Sequence, residues 1–399
     1  MSKIIQDAYI VAATRTPVAR RKGAFANVRP DDMLAHVLKN AIAAVPGLDA
    51  NEIGDVIVGC AMPEAEQGMN VARIGVLLAG LPDTVPAITI NRFCSSGVNA
   101  VAMAADRIRL GACDVAIGAG TESMSILAQM MGNKVAANPA FFSDENRAIA
   151  FGMGITAENV AQRWQVTRDQ QDAFAVESNR RALAAIAAGQ FKDEITPYLV
   201  RDHLPDFASG NIKIRERLFE NDEGPRPGTT MESLAKLRPV FAAKGSVTAG
   251  NSSQMSDGAA AVLLMSEAAV KRYNVKPLAR FVSFSVAGVP PEIMGIGPIE
   301  AIPRACKIGG VSKEQMDWIE LNEAFAAQSL AVIKELDLDP AKVNPLGGAI
   351  ALGHPLGATG AIRTATLVHA FQRDPKLKYG MVTMCIGTGM GAAGIFERV

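Results

Sequence analysis

The chain has 399 residues, too many for one ordinary hydrophobic core, and its 40 basic residues balance 40 acidic ones, so that the formal net charge is +0. No global field attracts nucleic acid or an anionic membrane surface, and we expect neither as a partner. Hydrophobic residues make up 49% of the chain and aromatic residues 5%, with 36 glycines, which is typical of an α/β enzyme with a core of small aliphatic side chains.

Short strands and helices alternate over the first 120 residues. Apolar runs predict strands, and apolar residues at helical spacing predict helices between them. The predicted elements are a strand at Ala8–Ala12, a helix at Asp32–Ala44, a strand at Asp55–Cys60, a helix at Asn70–Ala79 and a strand at Asp114–Gly120. This alternation predicts a mostly parallel sheet with helices on both faces.

The segment Asn91-Arg92-Phe93-Cys94-Ser95-Ser96-Gly97 joins a β-branched run, Pro86–Ile90, to a helical pattern, Ser95–Leu110. Cys94 is therefore predicted at a helix N-terminus, where free amides and the helix dipole stabilise a thiolate. We expect its pKa to lie below the usual value of about 8.5, and the same amides can hold an oxyanion. The segment alone leaves open a buried structural cysteine.

Between Thr121 and Gly250 the chain changes character. Two predicted helices, Thr156–Trp164 and Arg168–Ala188, are interrupted by polar segments rich in Pro and Gly. The polar segments are Asn138–Asn146, Asp202–Gly210 and Asn221–Thr230. Long excursions from an α/β core commonly cover a binding site, so we interpret this region as an insertion with that role.

After about Ser252 the first pattern returns, with predicted strands at Trp318–Leu321 and Met381–Cys385. Gly353-His354-Pro355-Leu356-Gly357 opens a helix that runs through His369, at the place that Cys94-Ser95-Ser96-Gly97 occupies in the first half. This correspondence indicates an internal duplication. Two similar halves related by a pseudo-twofold axis would direct both helix N-termini towards one cleft.

Three further residues can act with Cys94 in that cleft. His354 is a possible base or oxyanion donor, and the alternative is a capping or core histidine. Cys385 ends a predicted strand before Ile386-Gly387-Thr388-Gly389, where a thiol can exchange protons with a carbon acid, and the alternative is a buried strand cysteine. Asn322 follows a predicted strand and can orient a water or donate to an oxyanion, and the alternative is a helix N-cap.

Together these motifs resemble the thiolase family, most closely the 3-ketoacyl-CoA thiolases (acetyl-CoA acyltransferases) of fatty acid β-oxidation. The resemblance covers essentially the whole chain, and the motifs stand in the order of the family: 91–97, Val247-Thr248-Ala249-Gly250-Asn251, Asn322-Glu323-Ala324-Phe325, 353–357 and 385–389. It implies a five-layered αβαβα core of two duplicated halves, residues 1–120 and 251–399, and a loop domain, residues 121–250, that covers the CoA site.

The resemblance also implies roles for single residues. Cys94 resembles the acylated nucleophile, His354 its base, and Cys385 the acid/base at the substrate α-carbon. Asn322 resembles the residue that places a water beside His354 in one oxyanion hole, and the amides of Cys94 and Gly387 resemble a second hole. The implied CoA contacts are Arg226, Ser233, Ala249 and Ser253, with Met153, Met294 and Phe325 along the pantetheine channel. Gly152 stands where acetoacetyl-specific members carry a histidine, which favours longer acyl chains.

The implied activity is CoA-dependent cleavage of a 3-ketoacyl-CoA through an acyl-cysteine, with CoA as co-substrate and no permanently bound cofactor. A homodimer or homotetramer and a partner in a β-oxidation multienzyme complex are implied as well. The alternatives are a biosynthetic acetoacetyl-CoA thiolase, a condensing enzyme with one cysteine, and a non-catalytic acyl-CoA or lipid carrier. Cys385 argues against the condensing enzyme, which needs no second thiol, and a carrier leaves the paired thiols and histidine without a purpose.

The cysteine pattern and the chain ends bear on compartment. The five cysteines form no CxxC pair and no metal-like cluster with the four histidines, so we expect no metal site, no disulfide framework and a reducing compartment. No secretory leader, peroxisomal address or apolar run of membrane-spanning length stands out. The expected location is the cytoplasm.

Overall fold

The computed structural model describes residues 5–129 and 152–399, so the predicted polar segment Asn138–Asn146 lies outside the described residues. The strands are β1 (Ala8–Arg15), β2 (Ala19–Arg20), β3 (Ile53–Gly59), β4 (Ala87–Ile90), β5 (Val115–Ser123), β6 (Tyr198–Asp206), β7 (Asn211–Phe219), β8 (Ser256–Ser266), β9 (Ala279–Gly288), β10 (Met316–Leu321), β11 (Tyr379–Ile386) and β12 (Met390–Glu397). The helices are α1 (Pro30–Ala43), α2 (Val71–Leu78), α3 (Ser96–Arg109), α4 (Met124–Gln129), α5 (Met153–Arg163), α6 (Arg168–Ala187), α7 (Met231–Ala235), α8 (Glu267–Arg272), α9 (Gly297–Gly309), α10 (Ala326–Glu335), α11 (Ala349–Leu352) and α12 (Leu356–Arg373).

The same succession of strand pairings occurs twice. In the first half, β3 is parallel to β5, β5 is antiparallel to β8, and β8 is antiparallel to β1, while β4 extends the parallel edge. In the second half, β10 is parallel to β11, β11 is antiparallel to β12, and β12 is antiparallel to β9. The chain therefore folds as two similar halves.

Among the described residues, β1 of the first sheet joins β9 of the second at two paired positions, Tyr9 with Arg280 and Ile10 with Ala279. Helices α3 and α12 lie between the sheets and share an aliphatic core with β8, β11 and β12. Helices α1 and α2 cover the outer face of the first sheet, and α9 and α10 cover that of the second. The result is the five-layered αβαβα arrangement that the resemblance implies.

The contact between α3 and α12 depends on glycines. A Cβ placed on Gly97 would lie 2.6 Å from the backbone nitrogen of Ala361, and one on Gly360 would lie 2.1 Å from that of Val98. Both distances are too short for any side chain, so the helix backbones touch at their first turns. Because Cys94 and His354 each lie three residues before a glycine of this contact, Gly97 and Gly357, both are directed to the same end of the middle layer.

The inserted region contains an element that the sequence did not reveal. Residues 202–210 were interpreted as a polar interruption, but β6 and β7 form a two-stranded antiparallel hairpin in which Tyr198 pairs with Phe219 and Asp206 with Asn211. Side chains on both faces of most of this hairpin are exposed. Without a buried face, the hydrophobic alternation that marks a strand is weak.

The division at residues 120 and 250 remains a prediction, and β8, which follows position 250, completes the first sheet beside β5 and β1. None of the helices within the described ranges is long and apolar enough to cross a bilayer.

Candidate active site

Cys94 lies in a single 3₁₀ turn, Phe93–Ser95, that leads directly into α3. The turn is held by local hydrogen bonds: the Phe93 amide donates to Asn91 Oδ1 at 2.8 Å, and Ser96 Oγ accepts from the Arg92 amide at 2.8 Å. Phe93 has a positive φ of 44°, an unusual conformation for an aromatic residue that occurs mostly at functional sites. The thiol is thus presented at a helix N-terminus, as expected.

The electrostatics at Cys94 differ from the expectation. Burial raises the pKa of the thiol to about 11, although the backbone N–H groups of Gly387 and of Cys94 itself donate to the sulfur, and the charge of Glu122 raises the pKa further. The prediction of a lowered pKa is wrong because the loss of hydration outweighs the two amide donors. The sulfur nevertheless lies against both amides of the predicted second oxyanion hole.

Cys385 is the second-to-last residue of β11 and is fully buried. Burial raises the pKa of its thiol well above the usual value, and the charge of Cys94 raises it further. Charges interact strongly only at short range in a protein. A Cβ on Gly387, two residues after Cys385, would lie 3.9 Å from the ring of Phe93, the residue before Cys94. The structure therefore brings together the two segments that carry these thiols, although positions 94 and 385 are 291 residues apart.

His354 precedes α12 in a tight turn. Gly353 has a φ of +94°, and a Cβ there would lie 2.4 Å from Ser256 Oγ, so only glycine fits. His354 Nδ1 lies 2.6 Å from Thr359 Oγ1, and Nε2 lies 3.3 Å from Asn322 Nδ2. Burial and then the charge of Arg363 lower the pKa of His354 to about 3, so the ring is neutral at pH 7.

The hydrogen bonds of His354 are satisfied when Nδ1 carries the proton and donates to Thr359 Oγ1, while the Asn322 amide donates to the bare Nε2. This tautomer leaves Nε2 as the basic atom. No sequence pattern predicted the contact of Thr359 with His354, because this contact depends on the conformation of the first turn of α12.

Asn322 immediately follows β10, and its backbone N–H donates to Thr383 of β11 at 2.9 Å. It lies at the carboxyl end of the strand beside Cys385. The helix that follows begins at Ala326 with Phe325 at the N-cap, so the alternative interpretation of Asn322 as an N-cap is wrong. Its Oδ1 is buried and has no hydrogen-bond partner among the described residues, which leaves an acceptor beside the His354 ring.

Glu323, the residue after Asn322, is also buried. Its carboxylate accepts hydrogen bonds from Ser178 Oγ at 2.7 Å, Asn344 Nδ2 at 2.8 Å and the amide of Ile350 at 3.1 Å. These bonds tie the end of β10 to the segment that leads to His354. A carboxylate directly after a buried strand is the signal that could have revealed this.

Three of the predicted CoA contacts, Arg226, Ser233 and Ala249, line one cavity of about 270 Å³. The Arg226 amide donates to Asn179 Oδ1 at 3.1 Å. Ser233 Oγ donates to the carbonyl of Thr230 at 2.8 Å within the capping box of α7. Ser233 therefore has a structural role whether or not it contacts a ligand.

The other predicted contacts lie nearer to the thiols. Met294 and Phe325 pack in one apolar cluster with Cys385. Met153 Sδ lies 3.6 Å from the position of a Cβ on Gly387. Ser253 does not line the 270 Å³ cavity, and its amide donates to the carbonyl of Ala324 at 2.9 Å, beside Phe325. The predicted contacts thus fall into one group at the cavity and a second beside Cys385 and Gly387.

The arrangement suits acyl transfer at carbon. One thiol lies against two amide donors, a second thiol is close to the first, and a neutral imidazole with a bare Nε2 lies beside an amide side chain at the end of the neighbouring strand. Within the ranges 5–129 and 152–399, no group of three His, Cys, Asp or Glu side chains is arranged to hold a metal ion.

Comparisons with known proteins agree with this geometry. The thiolase N-terminal domain matches residues 8–268, and the thiolase C-terminal domain matches residues 275–398. The chain belongs to the thiolase family. This thiolase is 51% identical to a 3-ketoacyl-CoA thiolase of Bacillus subtilis (strain 168), over 98% of this chain and 100% of that protein.

Other similar proteins are named either 3-ketoacyl-CoA thiolase or acetyl-CoA acetyltransferase. A peroxisomal 3-ketoacyl-CoA thiolase 5 of Arabidopsis thaliana is 47% identical over 100% of this chain and 87% of its own. Among solved structures, Bacillus anthracis acetyl-CoA acetyltransferase superposes with a TM-score of 0.90 at 40% identity, and human mitochondrial 3-ketoacyl-CoA thiolase with 0.88 at 38%. Each structural comparison covers 100% of both chains.

Proposed function

We propose that this thiolase is an acyltransferase that uses CoA to cleave a 3-ketoacyl-CoA into acetyl-CoA and a shortened acyl-CoA, as in fatty acid β-oxidation. The observation that carries the proposal is the pair of neighbouring thiols, Cys94 and Cys385, with the Gly387 amide donating to the sulfur of Cys94. The 3-ketoacyl-CoA thiolases among its relatives support the same substrate class.

In the first half-reaction, Cys94 loses its proton to His354 Nε2 and attacks the C3 ketone. The bond between C2 and C3 then breaks, which leaves the acyl group on Cys94 and acetyl-CoA as its enolate. His354, now protonated, and Asn322 stabilise the enolate oxygen, and Cys385 delivers its proton to C2. Atoms and charge balance when the acetyl-CoA departs.

In the second half-reaction, the thiol of a new CoA gives up its proton to the Cys385 thiolate, which formed when Cys385 protonated C2, and attacks the acyl-cysteine. The amides of Cys94 and Gly387 stabilise the oxyanion of this tetrahedral intermediate. Collapse of the intermediate breaks its bond to the Cys94 sulfur and releases the shortened acyl-CoA, and protonated His354 returns its proton to restore the Cys94 thiol. Kinetics of the ping-pong type follow from the covalent intermediate.

The second thiol favours this mechanism over a condensing enzyme and over a carrier. A condensing enzyme that decarboxylates its donor has no α-proton to remove and gives Cys385 no task. A non-catalytic acyl-CoA carrier needs neither a nucleophile at a helix N-terminus nor an amide donor on its sulfur. A biosynthetic acetoacetyl-CoA thiolase uses the same groups in reverse, so the direction of the reaction is decided by assay.

The direct test is the CoA-dependent loss of 3-ketoacyl-CoA over a series of acyl lengths. We expect cleavage with kcat/KM within the usual range of about 10⁴–10⁸ M⁻¹s⁻¹ for at least one substrate. Tight binding of acyl-CoA without cleavage of any member of the series would contradict the proposal and favour a carrier.

Position 152 bears on acyl length. A Cβ on Gly152 would meet no atom within 4 Å among the described residues, so a side chain at this position would not clash with them. We expect Gly152→His to lower kcat/KM for long acyl chains more than for acetoacetyl-CoA. A uniform loss across the series would instead indicate damage to the start of α5.

The remaining proposals concern surroundings and assembly. CoA acts as a co-substrate, and we propose that no cofactor is permanently bound. Free thiols at all five cysteines support a reducing compartment such as the cytoplasm. A homodimer or homotetramer and a β-oxidation multienzyme partner are proposed by family resemblance, and sedimentation of the purified protein tests the first of these.

A further inference from the structure

The reaction described above gives no task to Glu122, a fully buried carboxylate at the end of β5. Its Oε2 accepts from the amides of Ala61 and Gly357, both at 2.8 Å. Its Oε1 accepts from Gln67 Nε2 at 2.6 Å and from the Met62 amide at 3.3 Å. Every one of these partners is a donor, so the ionised carboxylate is the form that satisfies the site.

The donors come from both halves of the molecule. Ala61 and Met62 follow β3 in the first half, which also carries Cys94. Gly357 belongs to the first turn of α12, three residues after His354. A single buried carboxylate therefore joins the segment that carries the base to the half that carries the nucleophile.

The fit around this junction is tight. A Cβ on Gly357 would lie 2.7 Å from the Ala61 nitrogen and 2.9 Å from Glu122 Oε2. A Cβ on Gly120 would lie 2.4 Å from the carbonyl oxygen of Gly357. The start of α12 is thus wedged against β5 and the end of β3, and Glu122 supplies the polar contact that fixes its position.

Glu122 is also close enough to the nucleophile to act on it electrostatically, since its charge raises the pKa of the Cys94 thiol. Cys385 of β11 also interacts electrostatically with Cys94. A charge at this place disfavours a free thiolate at rest.

We infer that Glu122 is a positioning residue for the acylation of Cys94: by holding the first turn of α12 against the first half, it fixes His354 relative to the nucleophile. This inference rests on the proposed function, because that function makes His354 the group that accepts the proton of Cys94. The inference adds Glu122, which hydrogen-bonds to other protein groups, to the residues that support the reaction. It also gives the hydrogen bond between Glu122 and the Gly357 amide a role in catalysis.

Two substitutions of Glu122 separate the effect of side-chain length from the effect of charge. Glu122→Gln keeps the length of the side chain and removes its charge, but it sets an NH₂ group against two donors, the Met62 amide and the Gln67 Nε2 group. Gln67 cannot turn to offer its oxygen instead, because its Oε1 accepts from the Ser123 amide at 2.8 Å. Glu122→Asp keeps the charge and shortens the side chain by one methylene group. It cannot hold Ala61 and Gly357 at their present distances.

The matched control is Asp257→Asn. Asp257 is a fully buried carboxylate at the start of β8, and its hydrogen-bond partners Ser123 and Ser125 both lie in the first part of the chain. Neither partner is in α12. Its substitution tests the general cost of losing a buried carboxylate near the end of β5.

The experiment measures kcat and KM for both substrates, the thermal midpoint of unfolding, and the pH profile of Cys94 alkylation by iodoacetamide. We expect both Glu122 variants to lose kcat by about 10-fold to 100-fold, the effect of small misplacement of a catalytic group, with KM for CoA within about twofold. Cys94 in Glu122→Gln should be alkylated at lower pH than in the wild type, and Glu122→Asp should keep the wild-type profile. Asp257→Asn should change neither kcat nor the profile by more than about twofold.

Three outcomes overturn the inference. The first is a pair of Glu122 variants whose kcat matches that of Asp257→Asn at similar thermal midpoints. The second is an unchanged alkylation profile in Glu122→Gln, and the third is outright unfolding of both variants, which assigns Glu122 to stability alone. Failure of the proposed function is separate, since it is seen in the wild type as absence of CoA-dependent cleavage, whereas alkylation of Cys94 needs no substrate.

Discussion

Burial keeps both central residues of the site neutral at rest. It raises the pKa of Cys94 to about 11 and lowers that of His354 to about 3. A resting thiolate and imidazolium pair is therefore disfavoured, and the proton moves only as the substrate carbonyl accepts the sulfur. We therefore propose that Cys94 is activated by the bound substrate and not by a lowered pKa.

The first prediction concerns the reactivity of Cys94 in the free enzyme. The rate of alkylation by iodoacetamide should rise about tenfold per pH unit from pH 7 towards pH 10 without a plateau, because the thiolate fraction is still growing there. Mass spectrometry of the labelled peptide assigns the adduct to Cys94 rather than Cys385. A plateau near pH 8.5, the value of an ordinary thiol, would show that burial does not govern this group.

The second prediction concerns Asn322. Its amide nitrogen lies 3.3 Å from His354 Nε2, and Asn322→Ala removes a donor from the side of the site where the enolate forms. We expect kcat to fall about 10²-fold to 10³-fold, as for the loss of one oxyanion-hole donor, with KM for CoA little changed. A rise in KM of similar size with an unchanged kcat would instead show that Asn322 contributes only to substrate binding.

Candidate site residues could be named from the sequence where motifs contained them, and their catalytic roles remain predictions. The sequence identified Cys94, His354, Cys385 and Asn322 as candidates, because each follows a predicted strand or opens a helix. It gave the wrong direction for the pKa of Cys94, since desolvation depends on tertiary packing that no local pattern contains. Glu122 and Glu323 were missed as buried carboxylates for the same reason.

At the scale of elements, the site depends on the contact between α3 and α12. Their first turns approach so closely that Gly97 and Gly360 have no room for a Cβ. The approach sets where the two helix N-termini point, and so where Cys94 and His354 lie. The sequence predicted both helices and their equivalence, but not the glycine contact, because the packing of distant helices is not encoded in their periodicity.

The third prediction tests this contact. Gly360→Ala places a Cβ 2.1 Å from the Val98 nitrogen, so we expect a loss of about 1–3 kcal/mol in unfolding free energy and a fall in kcat as the helices separate. Gly288→Ala is the control, since a Cβ there meets nothing within 4 Å and its φ is not positive. Urea unfolding and kcat are measured on both, and similar values for the two variants would show that the contact is not tight.

At the scale of the molecule, the insertion is tied to the core by a buried ion cluster. Arg15 at the end of β1 contacts Glu194 and Asp222, both at 2.7 Å, and all three side chains are almost fully buried. The two carboxylates raise the pKa of Arg15 against the effect of burial. Removing one partner of such a cluster leaves an uncompensated charge in the interior.

The fourth prediction compares this buried ion cluster with an exposed ion pair. Arg15→Met should cost about 3–5 kcal/mol in unfolding free energy, because Glu194 and Asp222 lose their counter-charge. Arg201→Ala removes a pair with Glu216 whose side chains are 61% and 52% exposed, and it should cost less than about 1 kcal/mol. Urea unfolding compares the two, and equal effects would contradict the assignment of Arg15 as an anchor.

The whole-molecule architecture was partly predictable. The recurrence of strand, helix and glycine patterns after residue 252 predicted two similar halves, and the repeated pairing order agrees with this. The place of β8 between β5 and β1 was not predictable, because sheet order is set by long-range pairing. The β6–β7 hairpin was missed since its exposed faces show no strong alternation.

The most direct test of the central claim is the intact mass of the protein after incubation with a 3-ketoacyl-CoA in the absence of CoA. We expect one acyl group per chain, located on Cys94 by peptide mapping, with stoichiometric release of acetyl-CoA. Cys94→Ser should show no acyl-cysteine and no thiolysis. An adduct on Cys385, or full activity in Cys94→Ser, would contradict the account.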